Sequence, residues 1–272
     1  MRKNIVALAG VCLVAIAAAP SEASGAFVDT MVEVQQDFEW SGQIAAGKTL
    51  EVKGINGDVE ARGGSDRVAT VTAVKKSRKH DPSTVQIEVI EHDGGVTICA
   101  VYPTPEGKKP NKCAPGNEGR MNTHNNDVQV NFTVLVPQGV KFRGSTVNGE
   151  AKAENLTADV AMNTVNGDVT VSTTGLAQAT TVNGSIRAAL GRADWSGDLD
   201  FNTVNGSIVL DLPGDLNATV TAQTVNGSIH TDFPLTVKGR FSSKKLTGTI
   251  GDGGRELDLQ TVNGSIELNR AR

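Results

Sequence analysis

The hexapeptide Thr203-Val204-Asn205-Gly206-Ser207-Ile208 decides the fold of this chain, because it recurs almost unchanged along the carboxy-terminal half. Its Thr-Val-Asn-Gly core occurs six times, with successive asparagines 18, 17, 22, 21 and 37 residues apart. The longest gap has room for one degenerate unit, Leu246-Thr247-Gly248-Thr249-Ile250, and a related segment, Ile55-Asn56-Gly57-Asp58-Val59, lies near the amino terminus. Self-similarity at this period predicts a stack of equivalent units.

Each unit contains two strand-like runs separated by turns. The residues after Asn-Gly alternate between apolar and polar, as in Ser207-Ile208-Val209-Leu210-Asp211-Leu212, which predicts a strand with one buried face. A second turn, Pro213-Gly214-Asp215, leads to another β-rich run before the next Thr-Val-Asn-Gly. Because β-branched residues and repeated Asn-Gly pairs disfavour helix, the chain is predicted to be all-β.

Two architectures fit this strand-turn-strand-turn unit. In a β-solenoid each unit is one coil, and equivalent residues stack on neighbouring coils. The inward rows predicted for such a stack are Val182, Val204 and Val225, and Ile186, Ile208 and Ile229. In an antiparallel meander or sandwich, Asn-Gly would instead close two-residue hairpins. The near-identity of the whole hexapeptide favours the solenoid, because a hairpin turn requires only its Asn-Gly.

The asparagine and glycine of each unit are predicted to form structural corners. Stacked asparagines can donate and accept amide hydrogen bonds along the solenoid axis, and each following glycine is expected to take a positive φ. Asn-Gly bonds locked in this way should resist deamidation in the folded protein. The predicted corner residues are Asn56, Gly57, Asn148, Gly149, Asn166, Gly167, Asn183, Gly184, Asn205, Gly206, Asn226, Gly227, Asn263 and Gly264. Variable loops on one side of each coil are expected to carry specificity.

The amino-terminal part, residues 24–136, is predicted to be a β-rich region continuous with the repeat stack of residues 137–272. Its alternating runs, such as those at 67–74 and 127–136, are longer than the repeat strands. They predict a half-exposed sheet that covers an open end of the solenoid. Residues 102–126 are rich in Pro, Gly, Asn and Lys and are predicted to protrude as a loop, either a contact surface or a solvated insertion.

Cys99 and Cys113 are predicted to form a disulfide that pins this loop. In an oxidising compartment, a pair this close in sequence pairs readily, and closing the loop contributes about 3 kcal/mol in the chain-entropy model. The alternative, a redox or metal-binding thiol pair, is not supported by their separation.

Residues 1–23 are predicted to be a cleaved signal peptide. Basic residues at positions 2 and 3 precede an apolar run from Ile5 to Ala19, which is too short for a membrane-spanning helix and is followed by Ser21-Glu22-Ala23. The mature protein is therefore expected to be exported, periplasmic or secreted, without a membrane span. Its net charge of about −5 favours neither nucleic acid nor an anionic membrane as a partner.

Few residues suggest a catalytic or metal-binding site. The four histidines, His80, His92, His124 and His230, do not have metal-ligand spacing, and no nucleotide, phosphate or cofactor fingerprint is present. No metal, cofactor or catalytic residue is predicted. A calcium ladder is disfavoured because Ser replaces Asp or Glu after Asn-Gly in the later units. The basic run at 75–80 is expected to form a solvated hairpin tip. A glycan-active enzyme would need paired carboxylates in one groove, drawn from Asp194, Asp198, Asp200, Asp211 and Asp215.

The serial Thr-Val-Asn-Gly-Asp/Ser-Ile/Val units behind a signal peptide, together with Ile55-Asn56-Gly57-Asp58-Val59, resemble a known family. It is the bacterial β-strand-repeat domain family of putative adhesins, related to the head domain of putative autotransporter adhesins. The resemblance covers roughly residues 38–270. It implies a β-helical extracytoplasmic domain without established catalytic residues. The favoured function is a non-enzymatic, adhesin-like binding module that holds an envelope glycan or protein through the loops of the β-repeat scaffold. The alternatives are a self-associating envelope scaffold and a glycan-active β-helix enzyme.

Overall fold

A computed structural model of the protein describes residues 36–65, 67–193, 195, 198–237, 242 and 244–271, without the side chains of residues 36, 37 and 198. The predicted signal peptide, residues 1–23, lies outside this part of the chain. None of the helical segments in the described part has the length and apolarity needed to cross a bilayer.

The described residues form 21 strands and two short 3₁₀ turns, Pro82–Thr84 and Gly116–Glu118. In chain order the strands are β1 Gln36–Gln43, β2 Thr49–Lys53, β3 Val59–Gly63, β4 Val68–Lys76, β5 Gln86–His92, β6 Gly95–Val101, β7 Gln129–Val136, β8 Lys141–Ser145, β9 Ala151–Leu156, β10 Val160–Asn163, β11 Val169–Thr173, β12 Ala177–Thr180, β13 Ile186–Leu190, β14 Asp198–Asn202, β15 Ile208–Leu212, β16 Ala218–Gln223, β17 Ile229–Thr231, β18 Leu235–Val237, β19 Lys245–Ile250, β20 Glu256–Gln260 and β21 Ile266–Arg270.

The strands form two sheets that face each other across the core. Sheet 1 has the order β1-β4-β7-β3-β9-β11-β13-β15-β21-β17, and sheet 2 has the order β18-β19-β16-β20-β14-β12-β10-β8-β2-β6-β5. Each coil contributes one strand to each sheet, and the repeat strands pair in parallel with their neighbours. Thr-Val-Asn-Gly forms the corner from sheet 2 to sheet 1 and does not close a hairpin. The predicted all-β solenoid is therefore confirmed over the meander.

Longer strands extend both sheets at the amino-terminal end of the stack. Strands β1, β4 and β7 are 8, 9 and 8 residues long, and they continue sheet 1 beyond β3 through antiparallel β1–β4 and β4–β7 pairs. Strand β5 pairs antiparallel with β6 at the corresponding end of sheet 2. The predicted longer-stranded region is confirmed. The boundary between residues 136 and 137 remains a prediction, since sheet 1 runs through both segments.

The order of coils in the stack differs from their order in the chain. Strand β21 lies between β15 and β17, and β20 lies between β14 and β16, so the last coil separates the two coils that precede it. The prediction of a degenerate coil at Thr247 is wrong. Thr247 belongs to β19, which pairs antiparallel with β16 and places Thr247 opposite Thr221. The long gap between Asn226 and Asn263 thus contains a strand that covers the end of sheet 2.

The interior rows are only partly those expected. The isoleucines Ile186, Ile208 and Ile229 are buried, with exposures of 0%, 0% and 8%. The predicted inward row of valines is wrong, because the valine of every Thr-Val-Asn-Gly is 37–48% exposed, whereas the preceding threonine is only 2–4% exposed. The polar threonine can be buried because its hydroxyl has an acceptor inside the stack, described next.

Candidate functional site

The corner asparagines form one continuous ladder of side-chain amides. Each Nδ2 donates to Oδ1 of the asparagine on the adjacent coil, for example Asn166 to Asn148 at 2.8 Å and Asn205 to Asn183 at 2.7 Å. In stack order the ladder contains Asn56, Asn148, Asn166, Asn183, Asn205, Asn263 and Asn226. Each interior amide thus uses a donor and an acceptor along the axis, which accounts for the constancy of asparagine.

The corner threonine and glycine fix the close approach of neighbouring coils. Thr181 Oγ1 donates to the carbonyl oxygen of Gly167 at 2.9 Å, and Thr203 makes the same bond to Gly184 at 2.8 Å. A Cβ added at Gly184 would overlap the carbonyl oxygen of Gly167. The expected positive φ is present at four of the seven corner glycines, Gly57, Gly149, Gly167 and Gly264, but not at Gly184. Gly57 has a φ of 110°. Position 184 must be glycine because the neighbouring coil leaves no space for a side chain.

The position after Asn-Gly forms a third ladder. Asp168 Oδ1 accepts the backbone N–H of Ser185 at 2.7 Å, and Ser185 Oγ in turn accepts the N–H of Ser207 at 3.2 Å. Aspartate and serine therefore play one role, the acceptor for the next coil, which explains their exchange along the chain. All positions of the hexapeptide except the exposed valine are thus occupied by stacking contacts.

The coils differ at the opposite corner, where sheet 1 leads back to sheet 2. There the chain crosses in three residues at 157–159 and at 174–176, but in five at 213–217. Part of the variation in repeat spacing arises at this corner, and part arises within the strands, since β9 and β16 have six residues and β12 has four.

The main candidate site is a groove of about 320 Å³ on the outer face of sheet 2. Two columns of outward-pointing side chains form its floor, and the two columns are two residues apart along each strand. The first column is Glu51, Arg143, Ala161, Gln178 and Asp200, and the second is Lys53, Ser145, Asn163, Thr180 and Asn202. Because neighbouring strands are about 4.8 Å apart, hydrogen-bonding groups recur at short, regular intervals across the floor.

Most of the floor is polar and accessible. Arg143, Asn163, Gln178 and Asp200 are exposed, and no side-chain hydrogen bond or ion pair joins any of them to another residue in the described part of the chain. Ala161 lies between Arg143 and Gln178 in the first column, and its short side chain lowers the floor there. The groove therefore offers free amide, guanidinium and carboxylate groups around a small apolar depression.

The segment of residues 102–126 forms one wall of the groove. The expectation that it simply protrudes is wrong, because its tip packs on β2. Buried Glu51 accepts from the Gly116 N–H at 3.0 Å and from Thr97 Oγ1 at 2.9 Å, while Lys53 Nζ donates to the carbonyl oxygens of Ala114 and Gly116 at 2.6 Å. Asn117, beside these contacts, lines the groove.

The predicted disulfide is present and joins this wall to the sheet. Cys99 lies in β6 and Cys113 just before the tip, with their Cα atoms 5.7 Å apart. At the base of the segment, Tyr102 Oη donates to the Val128 carbonyl oxygen at 2.8 Å. Burial raises the pKa of Tyr102 to about 12, so this donor keeps its proton across the physiological range. The wall is thus an ordered part of the fold.

The carboxylates considered for glycan cleavage do not share a groove where they are described. Asp200 lies in the groove on sheet 2, Asp211 lies on sheet 1 and accepts from Asn269 Nδ2 at 3.1 Å, and Asp215 lies in the loop of residues 213–217. Asp194 and the side chain of Asp198 lie outside the described residues. The geometry that the enzyme alternative required is therefore not assembled by the described members.

His80 and the basic run have structural contacts. His80 Nδ1 is 2.7 Å from Asp127 Oδ1, and Asp127 also accepts the backbone N–H groups of Arg78, Lys79 and His80. Lys75 is buried, and its Nζ donates to the Val85 carbonyl oxygen at 2.7 Å. Within the described part of the chain, no three His, Cys, Asp or Glu side chains are grouped as potential metal ligands.

The sequence motifs do not point to the groove residues other than Asp200, although the sequence contains a signal for them. The residue that precedes each Thr-Val-Asn-Gly is always short to medium-sized and polar. These residues are Ser145, Asn163, Thr180, Asn202, Gln223 and Gln260. A repeat-by-repeat alignment of that position would have shown a polar column on one outer face.

The chain is similar to one described protein family and to several solved structures. A family profile described as Toastrack DUF4097 matches residues 48–269. A crystal structure of a putative cell adhesion protein from Clostridium sporogenes is 14% identical, covers 86% of this chain and 99% of that chain, and has a TM-score of 0.44. A putative adhesin from Bacteroides fragilis is 13% identical over 86% of this chain and 96% of that chain, with a TM-score of 0.37. A putative lipid binding protein from Parabacteroides distasonis is 10% identical over 87% and 97%, with a TM-score of 0.23. No curated protein matches the chain.

Proposed function

The chain belongs to the Toastrack DUF4097 family, and from that premise we propose that it is a non-enzymatic, adhesin-like binding module of the cell envelope, exported from the cytoplasm. Its ligand is an envelope glycan or protein, held in the groove on sheet 2 beside the disulfide-pinned wall. The observation that carries this proposal is the set of exposed groove side chains that make no side-chain hydrogen bond or ion pair with any other described residue.

The chemistry of the groove favours a glycan over a protein. Amide side chains both donate and accept, as the hydroxyl groups of a sugar do, and Asn163, Gln178 and Asn202 present them in adjacent coils. Arg143 and Asp200 add one group of each charge, so the floor suits a largely neutral, hydroxyl-rich ligand. Export is supported by the predicted signal peptide and by the disulfide, which persists in oxidising compartments.

Affinity capture with matched arginine variants tests this proposal. Immobilised mature protein is incubated with solubilised envelope glycans, and the bound material is identified and titrated. Arg143→Ala should weaken binding about tenfold or more, because a charged donor to the ligand is lost. Arg187→Ala is the control, since Arg187 is also an exposed arginine in a repeat strand, but on the outer face of sheet 1.

Two results would contradict the proposal. One is a wild-type protein that retains no glycan. The other is equal weakening by Arg143→Ala and Arg187→Ala, which would place the binding surface elsewhere. The mature protein could instead retain only envelope proteins and lose them on Arg143→Ala. That result would support the groove as the binding site and contradict its preference for glycans.

A self-associating envelope scaffold is the second candidate, and the exposed valines favour it. Val147, Val165, Val182, Val204, Val262 and Val225 form one apolar row beside the asparagine ladder, each 37–48% exposed. Continuous apolar surface of this kind is common at protein interfaces. Sedimentation over a wide concentration range decides between the two, since a strictly monomeric protein at all concentrations contradicts the scaffold.

A further inference from the structure

The asparagine ladder has one chemically distinct end, at Asn226. Its coil is the last of the stack on that side, after the coils of Asn205 and Asn263. Asn226 Nδ2 donates to Asn263 Oδ1 at 2.8 Å. Its own Oδ1 accepts no hydrogen bond from any residue that the structure describes, whereas Oδ1 of each other ladder asparagine accepts one. Asn226 is therefore held by half of the usual amide contacts.

The glycine that follows Asn226 is also distinct. At the other corners the glycine N–H donates to the asparagine carbonyl oxygen of the next coil, as Gly184 does to Asn205 at 2.9 Å and Gly264 to Asn226 at 3.0 Å. The Gly227 N–H has no such acceptor within the described residues. Gly227 is also the only exposed glycine among the seven corner glycines.

We propose that Asn226-Gly227 is a site of spontaneous deamidation in the folded protein, while the other Asn-Gly corners are protected. The Gly227 backbone nitrogen attacks Cγ of Asn226 and forms a new C–N bond. The Cγ–Nδ2 bond then breaks, and Nδ2 leaves as ammonia with the proton released by the glycine nitrogen. Water opens the resulting succinimide at either carbonyl and yields aspartate or isoaspartate. This inference is independent of the proposed binding function.

Protection of the interior corners follows from the bonds that the reaction must break. To bring Cγ of Asn183 to the Gly184 nitrogen, the side chain must leave two amide partners, and the glycine N–H must leave its carbonyl acceptor. Asn226 must leave one amide partner. Since each hydrogen bond contributes roughly a fivefold factor, deamidation at Asn226 should exceed that at an interior corner by about tenfold or more.

The order of later modification is also set by the stack. A carboxylate at position 226 cannot donate to Asn263 Oδ1, so an acceptor faces an acceptor across the former 2.8 Å bond. The end coil is loosened, and the Gly264 N–H then loses its acceptor, the Asn226 carbonyl oxygen. Asn263 should therefore follow Asn226, although Asn205 is closer to Asn226 in the chain.

Peptide mapping of aged protein tests the proposal. Folded mature protein is incubated in mildly alkaline buffer, digested, and analysed by mass spectrometry for aspartate and isoaspartate at each Asn-Gly. The same chain unfolded in urea is the control and should be modified at all corners at similar rates. In the folded protein, modification should begin at Asn226 and appear next at Asn263. Asn226→Gln retains the amide but disfavours the five-membered ring, and should remove the early ammonia release.

Modification of Asn183 or Asn205 before Asn226, or equal rates at all corners of the folded protein, would overturn the proposal. So would an unmodified Asn226 under conditions that modify the unfolded chain. These measurements use the wild-type protein and stand even if Asn226→Gln fails to fold.

Discussion

Asn263 donates from Nδ2 to Oδ1 of Asn205 at 2.7 Å, although 58 residues separate them in the chain. The last repeat of the chain is therefore placed inside the stack, between the coils of Asn205 and Asn226. Those two coils do not pair with each other and depend on the carboxy-terminal coil between them. Contacts near the end of the chain should consequently affect stability as strongly as contacts in its middle.

Leu268→Ala tests this dependence. Leu268 is 1% exposed and lies in β21, between β15 and β17. Its truncation should lower the free energy of unfolding by about 2–5 kcal/mol, because it leaves a cavity in the core. Val237→Ala, at a residue 41% exposed in β18, is the control and should change it by less than about 0.5 kcal/mol. Equal effects in urea denaturation would show that the last coil is not an integral part of the stack.

The hydroxyl of the buried corner threonine should stabilise the stack as much as the asparagine ladder does. Thr181→Val retains shape but removes the donor to the Gly167 carbonyl oxygen, so the free energy of unfolding should fall by about 1–3 kcal/mol. The preceding residue, Thr180, is exposed on the outer face of sheet 2 and provides the matched Thr180→Val control. Urea unfolding of both variants measures the difference, and a larger loss at position 180 would contradict the inward role of Thr181.

The corner glycine should not tolerate a methyl group. Gly184→Ala places its Cβ against the Gly167 carbonyl oxygen and should destabilise the fold by about 1–3 kcal/mol through local separation of two coils. In Gly64→Ala the nearest atom to the new Cβ is 3.7 Å away, so this control should be neutral or slightly stabilising. Thermal unfolding midpoints distinguish the two, and equal midpoints would rule out close approach as the reason for glycine.

Asp127 should make stability depend on acid pH. The hydrogen bond from His80, together with backbone N–H groups of Arg78, Lys79 and His80, lowers the pKa of Asp127 from 3.8 to about 2. Because the folded-state pKa is below the unfolded value, the stabilisation is complete above about pH 4 and is lost as the pH falls through 2. Asp127→Asn should therefore be less stable than wild type at pH 5, and the difference should shrink as the pH falls and disappear below pH 2. Urea denaturation of both proteins across this pH range measures the difference, and a difference that does not change with pH would contradict the role of Asp127.

Loss of the disulfide should loosen the groove wall and leave the coils intact. Cys99→Ala with Cys113→Ala should lower the free energy of unfolding by about 3 kcal/mol in the chain-entropy model. Amide hydrogen exchange should accelerate at the backbone pair between Lys112 and Arg120, while the amides of the Asn183 and Asn205 corners remain protected. Uniform acceleration throughout the chain would indicate that the disulfide supports the whole stack.

The sequence predicted the fold class because a stacking repeat needs the same residue at the same corner in every coil. Asparagine, glycine and isoleucine were assigned to the stack from their constancy, and the structure supplies the contacts of each. The outward direction of the Val182 side chain could not be deduced from the sequence. Alternation defines two opposite faces without saying which is buried, and valine is normally assigned to the buried one. Burial of Thr181 depends on the Gly167 carbonyl oxygen, an acceptor that exists only when two coils are together.

The sequence by itself thus determined the two-strand coil, the corner motif, the disulfide pair and the longer amino-terminal strands, because these depend on local pattern and repetition. Only the tertiary structure decided that the last coil lies between the two coils that precede it in the chain, since nearly identical repeats can pair in more than one order. It also decided the site. Arg143, Gln178 and Asp200 come from different coils and form one groove only when strands from those coils align in a parallel sheet.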